Sequence, residues 1–370
     1  MVMIMKRPFA LKSVDMTDRR SFDQVKKIIH LVPRNGIGGV ETAVRSMEKV
    51  KHDRIDFKVD YIIQMVANAS PWQKWVAFIS PLPLFRAVRR VISKDADVLI
   101  VSLWRSVIVG ILVKCLSPKI RLVVFIHNAT DVHWLDFIFT RLAINFAVEV
   151  WADSNASLSQ RFPYLDCERC KVISFITRRF EAFPTTKASP SFIFWGRINA
   201  QKGLDHALRI FAELVKHYPD ARFWIIGPDD GVLQTTQQLS KSMHLTDNVF
   251  FLGPATRAKL EEHAQKATFY LQTSLYEGMA MSVVEAMQMG LVPIVTPVGE
   301  IPSYCSHSFN ALIVKSEKQI IENVRDLLNS ENRYEILRKN AITTWNDSPL
   351  YAESVLQACE KLLFDHDATA

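Results

Sequence analysis

Cysteine is sparse: five residues in 370, odd in number and irregularly spaced. Such a set makes no disulfide framework, so a reducing compartment is expected, the cytoplasm first. Cys167 and Cys170 form a lone CxxC, but no second Cys or His pair follows at zinc-ligand spacing, and they read as surface thiols. Long apolar runs are also missing. The most apolar stretch, Ser106 to Cys115 with Arg105 and Lys114 at its ends, is far shorter than the roughly 20 residues a bilayer core requires, so no transmembrane helix is expected. The opening MVMIMKRPFALKSVD sets basic residues after five apolar ones and has no h-region, so export by a signal peptide is not expected.

What is there suits a soluble globular chain. Hydrophobic residues make up 49% and charged ones 22%, which leaves little room for extended disorder away from the ends. The length fits two domains of roughly 150 to 200 residues each. Charge divides them: residues 1–180 hold 28 Lys+Arg against 16 Asp+Glu, net +12, which leaves 17 against 22, net −5, for 181–370. A basic half attracts nucleic acid, anionic lipid or a phosphorylated substrate. No helix-turn-helix, zinc-finger or RNA-stacking motif accompanies the charge, so nucleic acid is not expected.

Residues 1–25 read as an N-terminal extension. From 26 the chain alternates strand-like and helical patterns: VKKIIHLV, then the glycine turn NGIGGVE, then Val40, Ala43, Val44 and Met47 at helical spacing. Further strands are expected at 57–64, 98–102, 122–127 and 148–152. Residues 181–190, within the aperiodic stretch 177–190, form a linker. The rhythm restarts over 191–345, with strands expected at SFIFWG, ARFWIIG, 249–252, 267–272 and 292–296 and helices at 203–217 and 282–289. Residues 346–370 carry one more amphipathic helix, expected to cross back to the first domain. The fold class is therefore α/β: two Rossmann-like domains, 26–180 and 191–345, whose parallel sheets face one interdomain cleft.

Chemistry concentrates at expected strand ends. In LQTSLYEGMAMSVVEAMQMG the chain leaves a strand at Thr273, turns through Glu277, Gly278, Met279, Ala280 and Met281, and starts a helix near Ser282. Amide groups at that start suit an anion. Glu277 can accept from sugar hydroxyls, and Glu285, one turn into the helix, from a diol such as a ribose. The plainer alternative is that Glu277 caps the helix and Glu285 faces solvent. FIFWGRINAQKG places Arg197 after a strand and Lys202 at a helix start, a fork and a point charge of the kind a diphosphate requires, unless both are solvated surface cations. Gly38 and Gly39 permit close backbone approach of a phosphate or sugar. The run 36–41, GIGGVE, puts Glu41 where a dinucleotide fingerprint needs glycine, so a dinucleotide site is disfavoured. His127 ends LVVFIH at the same edge, able to hydrogen-bond a sugar or phosphate oxygen, or else structural.

In this order the motifs resemble the retaining GT-B glycosyltransferases of family 4, the glycosyltransferase group 1. The likeness is clearest over about 192–315, through GRINAQKG, the Glu277 to Glu285 motif, VPIVTPVGEIP and FNALIV, and looser over 28–155, through NGIGGVE, His127 and WADSNAS. It implies that Arg197 and Lys202 neutralise a donor diphosphate, Glu285 holds the nucleotide ribose, Glu277 contacts the transferred sugar, and Gly39 and His127 approach from the opposite wall. Departures are Ala280, read as replacing a proline, Glu300, replacing the second glycine of a GG pair, and Ala311, replacing the glycine of an NG.

Expected partners are a nucleoside-diphosphate sugar as co-substrate and a glycan or lipid-linked acceptor. No cofactor is expected; the cations and helix start can stabilise the leaving group without a metal, and no DxD segment is read in the chain, so no bound divalent cation is expected. The segment 72–94, with Trp72, Trp75, Phe78 and Phe85 among basic residues, suits peripheral contact with an anionic membrane, on the inner face of the cytoplasmic membrane, or else supplies core aromatics beneath a solvated basic face. The competing readings are a sugar-nucleotide epimerase or glycosyl phosphorylase on the same architecture, and a non-catalytic sugar-binding relative.

Overall fold

A computed structural model describes residues 25–36, 38–63, 80–165, 167–184 and 187–364. In the first half the strands are β1 (Lys26–Arg34), β2 (Ile55–Ile63), β3 (Val98–Ser102), β4 (Arg121–Ile126), β5 (Glu149–Ala152) and β6 (Cys170–Val172). Between them lie helices α1 (Gly39–Ser46), α2 (Leu82–Ser93), α3 (Trp104–Leu116), α4 (Trp134–Phe146) and α5 (Asn155–Arg161). The second half has β7 (Ser191–Trp195), β8 (Arg222–Ile226), β9 (Val249–Gly253), β10 (Phe269–Gln272), β11 (Val292–Val295) and β12 (Leu312–Ile313). Its helices are α6 (Leu204–His217), α7 (Leu233–Ser242), α8 (Arg257–Ala264), α9 (Met281–Gln288), the single turn α10 (Ile301–Tyr304), α11 (Glu317–Leu328) and α12 (Glu331–Thr343), followed by α13 (Tyr351–Phe364).

The strand orders are β2-β1-β3-β4-β5-β6 and β12-β11-β10-β7-β8-β9, all parallel. The chain leaves β1 for β2 and then crosses to β3; it leaves β7 for β8 and β9 and then crosses to β10. At such a reversal the loops leaving neighbouring strands diverge to opposite faces and open a crevice at the carboxyl edge. The crevices therefore lie between β1 and β3 in one sheet and between β7 and β10 in the other. This is the expected α/β class with two Rossmann-like parallel sheets.

Strands buried on both faces read as continuous apolar runs. In the first sheet Ile29 and Leu31 pack with Val88, Val107 and Ile144 beneath α2, α3 and α4. Ile28 points the other way, into a cluster with Met47 and with Val355 and Leu362 of α13. The last helix thus covers the N-terminal sheet, tied down at its start by Tyr351 N–H donating to the Ile176 carbonyl at 2.7 Å. Burying each large apolar side chain there contributes about 1.5–3 kcal/mol. The second half has its own core, which includes Phe192, Phe211, Phe223 and Phe269. In the linker stretch, Phe180 N–H donates to the Gln288 side chain and Phe183 N–H to the Met289 carbonyl, which lays this segment against α9.

Helix boundaries differ from the sequence expectation where backbone geometry decides them. Gly203 is not helical but left-handed, at φ +60°, and caps α6 from outside. A Cβ there would collide with the Thr273 carbonyl, so this glycine lets the loops after β7 and β10 touch.

Candidate functional site

The crevice between β7 and β10 is centred on an ion pair. Lys202 Nζ lies 2.6 Å from Glu277 Oε1, with side chains only 13% and 6% exposed. The same oxygen accepts from Ser274 Oγ at 2.7 Å and from Gln272 Nε2 at 3.0 Å. Gln272 is itself fixed, its Oε1 accepting from Tyr270 Oη at 2.7 Å and Ser282 Oγ at 2.8 Å. A buried carboxylate is tolerated only with such charged and hydrogen-bonded partners. The two residues the sequence offered separately, one on each loop, therefore form one unit.

Around it stand the other candidates of the second half. Arg197, exposed on the loop after β7, pairs with Asp230 at 3.1 Å, and Asn199 Nδ2 donates to the same carboxylate at 2.9 Å. A diphosphate using Arg197 must draw it from Asp230. Glu285 is partly buried; its Oε2 accepts from Trp195 Nε1 at 2.9 Å and from Arg257 at 3.2 Å. Burial pushes its carboxyl up to about 7, although the Trp195 hydrogen bond works in the opposite direction. It is thus packed against Trp195 and Arg257 rather than facing solvent.

The opposite wall comes from the first sheet. A Cβ on Gly39 would lie 3.9 Å from Met281, and one on Gly278 would lie 2.9 Å from the His127 carbonyl oxygen and 3.1 Å from Asp153 Oδ2. Gly38, Gly39 and His127 are therefore brought to the turn 278–281 as one cleft. The Glu41 carboxylate folds back over the glycine turn, against the space a Gly38 side chain would need. Arg34 also borders this turn, and Arg45 donates to the Gly36 carbonyl at 2.8 Å, so the turn carries both signs of charge. His127 is buried: its Nε2 lies 2.8 Å from Ser102 Oγ, and Nδ1 has no hydrogen-bond partner. Burial holds its pKa well below the usual histidine range, so the ring is neutral.

Glu300 joins the two walls. Its Oε2 accepts from the Ala156 N–H at 2.6 Å, in the first turn of α5. Asp153 lies alongside, accepting from Ser157 Oγ at 2.7 Å and Ser154 Oγ at 3.0 Å. Burial pushes Asp153 up to about 6, and the charge of Glu300 adds to the rise.

Several expectations need correction. Ala280 lies at φ +54°, which a proline ring cannot reach and glycine adopts without penalty, so this backbone could not take a proline in its place. In the segment 72–94, Trp72, Trp75 and Phe78 fall outside the described residues. Arg90 and Lys94 are engaged by Asp60, at 3.2 and 3.1 Å. Pro81 and Pro83 sit at the start of α2, where proline fits a first turn. A DxD segment is present, contrary to expectation: Asp95 and Asp97 lie at the amino end of β3, away from the cleft, where they pair with Lys119 and Lys26. Sequence reasoning did not single out Ser102, Asp153, Trp195, Asp230, Arg257 or Gln272. Ser102, Trp195 and Gln272 carried a usable signal, since each is the last residue of a strand, as did Asp153, which directly follows one.

Residues 176–344 match the family model described as "Glycosyl transferases group 1". The chain is 28% identical over 143 residues to the "Uncharacterized glycosyltransferase YqgM" of Bacillus subtilis, covering 38% of each chain. It is 26% identical over 134 residues to the "GDP-mannose:cellobiosyl-diphosphopolyprenol alpha-mannosyltransferase" of Xanthomonas oryzae, covering 36% of this chain and 35% of the relative. These matches span well under half the length of either relative. The crystal structure of Anabaena Alr3699/HepE in complex with UDP and glucose superposes with a TM-score of 0.73 at 17% identity, covering 91% of this chain and 99% of that one. The architecture is the GT-B fold.

Proposed function

We propose, for a chain whose residues 176–344 belong to the glycosyl transferases group 1, that the cleft transfers a hexose-type sugar from a nucleoside-diphosphate sugar to a glycan or lipid-linked acceptor. The carrying observation is the buried Lys202–Glu277 pair at the β7/β10 crevice. In this reading Lys202, Arg197 and the amide groups at the start of α9 meet the diphosphate, and Glu285 takes the ribose diol through its carboxylate. Glu277 and the turn Gly278–Ser282 meet the sugar, while Gly38, Gly39 and His127 close the other side. The UDP held by the Anabaena structure, at the same fold, favours a nucleotide in this cleft.

Breaking the bond from sugar to diphosphate places negative charge on the leaving oxygen and positive charge on the anomeric carbon. Fixed cations beside a helix start stabilise the former at no reorganisation cost during the step. In this reading the buried Glu277 carboxylate, next to Lys202, faces the positive charge that develops. Retention follows if the acceptor attacks from the face the diphosphate leaves, with a donor phosphate oxygen taking the acceptor proton. Closure of the two domains excludes water and limits donor hydrolysis. A hinge within 177–190 and near 345, domain limits at 26–180 and 191–345, and a role in bacterial surface polysaccharide or glycolipid assembly at the inner face of the cytoplasmic membrane belong to the same proposal.

A thermal-shift screen of nucleoside diphosphates and nucleotide sugars tests the donor half. A ligand at a hundredfold excess over its Kd adds about 2.7 kcal/mol to the folded state. One nucleotide should raise the melting temperature of wild type and leave Lys202→Ala and Glu285→Ala unmoved. Acceptor-dependent release of the nucleoside diphosphate then separates a transferase from an epimerase or a binding protein. If no nucleotide shifts the wild type, the donor pocket is wrongly assigned.

A further inference from the structure

Helix α4 carries large apolar side chains on its outer face. Its inward positions hold Ala143 and Ile144 in the core together with Asp136 and Thr140, which are joined by a 2.9 Å hydrogen bond, and Asp136 pairs with Arg161 at 2.7 Å. Its outward stripe, at helical spacing, is Trp134, Phe137, Ile138, Leu142 and Phe146, exposed by 40–70%. An amphipathic helix on a sheet ordinarily keeps that outer face polar. Scattered exposed apolar residues need no explanation, but five on one stripe mark a surface that something covers.

The stripe does not stand alone. Helices α2, α3 and α4 cover the same face of the first sheet, and α2 also exposes Leu82 and Phe85 on its outer side, beside Arg86 and Arg89. Charge on this layer has one sign outward. The three helices contain six Arg or Lys residues and a single acid, Asp136, which is buried; Arg105 is buried too, Arg90 and Arg141 pair with Asp60 and Asp131, and Arg86 and Arg89 are the exposed cations. Arg141 lies over the Phe137 ring, 3.7 Å from its centroid, and is paired with Asp131 at 3.0 Å. Exposed aromatic and aliphatic groups interleaved with arginine, and no exposed acid, match an anionic lipid surface: the apolar groups enter the acyl boundary while the cations meet the head groups. Among the described residues no helix is long and apolar enough to cross a membrane.

The layer also leads to the cleft. Val132, exposed just before α4, and Trp104, at the start of α3, line a small recess that reaches His127 and Asn128 at the carboxyl edge of the sheet. We propose that the outer face of α2–α4, with the α4 stripe at its centre, docks the protein on an anionic bilayer and turns this edge toward a lipid-linked acceptor. Such docking serves the reading above, in which the acceptor is lipid-linked, and its test does not depend on that reading.

Flotation of the full chain is measured with vesicles of phosphatidylcholine alone and of phosphatidylcholine mixed with phosphatidylglycerol, at low and high salt. Wild type should float with the anionic vesicles and less so in high salt. Phe137→Gln with Leu142→Gln should lower the partition coefficient by about tenfold or more. Arg86→Gln with Arg89→Gln should lower it by about fivefold for each charge removed. A nucleotide-induced thermal shift equal to wild type shows each variant folded and reads the donor site separately. In a readout that leaves the stripe intact, brominated lipid should quench the fluorescence of wild type more than that of Trp134→Phe. No binding of wild type to anionic vesicles overturns the proposal, as does equal binding of the apolar variant. A wild-type dimer that the apolar variant dissolves, without wild-type flotation, replaces the bilayer by a second copy of the chain.

Discussion

His30 and His127 share one hydroxyl: the Nε2 atom of each lies 2.8 Å from Ser102 Oγ. A serine hydroxyl has one proton, so it donates to one ring and accepts from the other, and the two histidines must be opposite tautomers. Burial pushes His30 down to about 3 and His127 down as well, so both rings stay neutral over the working pH range. Nδ1 of each ring is buried without a hydrogen-bond partner, so one of the two is left as an N–H and the other as a lone pair. Long-range proton–nitrogen spectra should show one tautomer of each kind, unchanged down to about pH 5. Ser102→Ala should cost about 1–3 kcal/mol in urea unfolding, because it strips the partner from two buried nitrogens.

Lys202 and Glu277 make a second coupled pair, with consequences for stability and activity that can be separated. Removing one partner of a buried ion pair costs about 3–5 kcal/mol, whereas replacing both often costs little. Lys202→Met alone should therefore unfold at clearly lower denaturant than the double variant Lys202→Met with Glu277→Met. Activity should behave differently. If Lys202 meets the leaving group, kcat falls at least about a hundredfold in both the single and the double variant. Recovery of activity in the double variant would reduce Lys202 to a structural partner of Glu277.

Much of this fold is readable in the chain because a doubly covered parallel sheet writes its strands as apolar runs. Val98–Ser102 is expected and found with the same ends. By contrast β12 has only two residues, too few for any period to register. Periodicity gives a stripe without saying which way it faces, so the outward apolar face of α4 is invisible until its neighbours are placed. The candidate site follows the same rule. Lys202 and Glu277 can be suspected one at a time from their strand ends, but 75 residues separate them and only the β7/β10 reversal makes them a pair. Glu300 looks like a lost glycine in sequence; its contact with α5 exists only when the second half meets the first.

The raised Glu285 carboxyl gives two pH signatures of known sign. Its folded value, about 7, lies above the ordinary carboxylate range, so folding favours the protonated form. The resulting stability is fully present below about pH 4.5 and is lost as pH rises through 7, an effect on the order of 3 kcal/mol at most. Urea unfolding of Glu285→Gln should lack that decline. Binding runs the other way, because only the ionised carboxylate accepts from both hydroxyls of a ribose. Affinity for a nucleotide sugar, whose diphosphate diester does not titrate here, should rise through about pH 7 in wild type and stay flat in Glu285→Gln. Calorimetric titration at several pH values reads both curves.

The Glu300 carboxylate on the Ala156 amide makes that amide a reporter of the contact between the domains. Its 2.6 Å bond spans the two halves of the chain. In Glu300→Ala the amide loses its acceptor, and hydrogen exchange at Ala156 should speed up while the amides of β4 and β10 keep their protection. Asp153 adds a pH test. With Glu300 removed, one of the influences that hold Asp153 near 6 is gone, so its ionisation should move to lower pH. Because its folded value is raised, Asp153 stabilises the fold below about pH 4 and loses that contribution by about pH 6. In Glu300→Ala this loss should shrink and be complete at lower pH, read by melting temperature against pH beside Asp153→Asn, which should show none of it. Unchanged exchange at Ala156 in the Glu300 variant would mean that the bond does not hold the two halves together in solution.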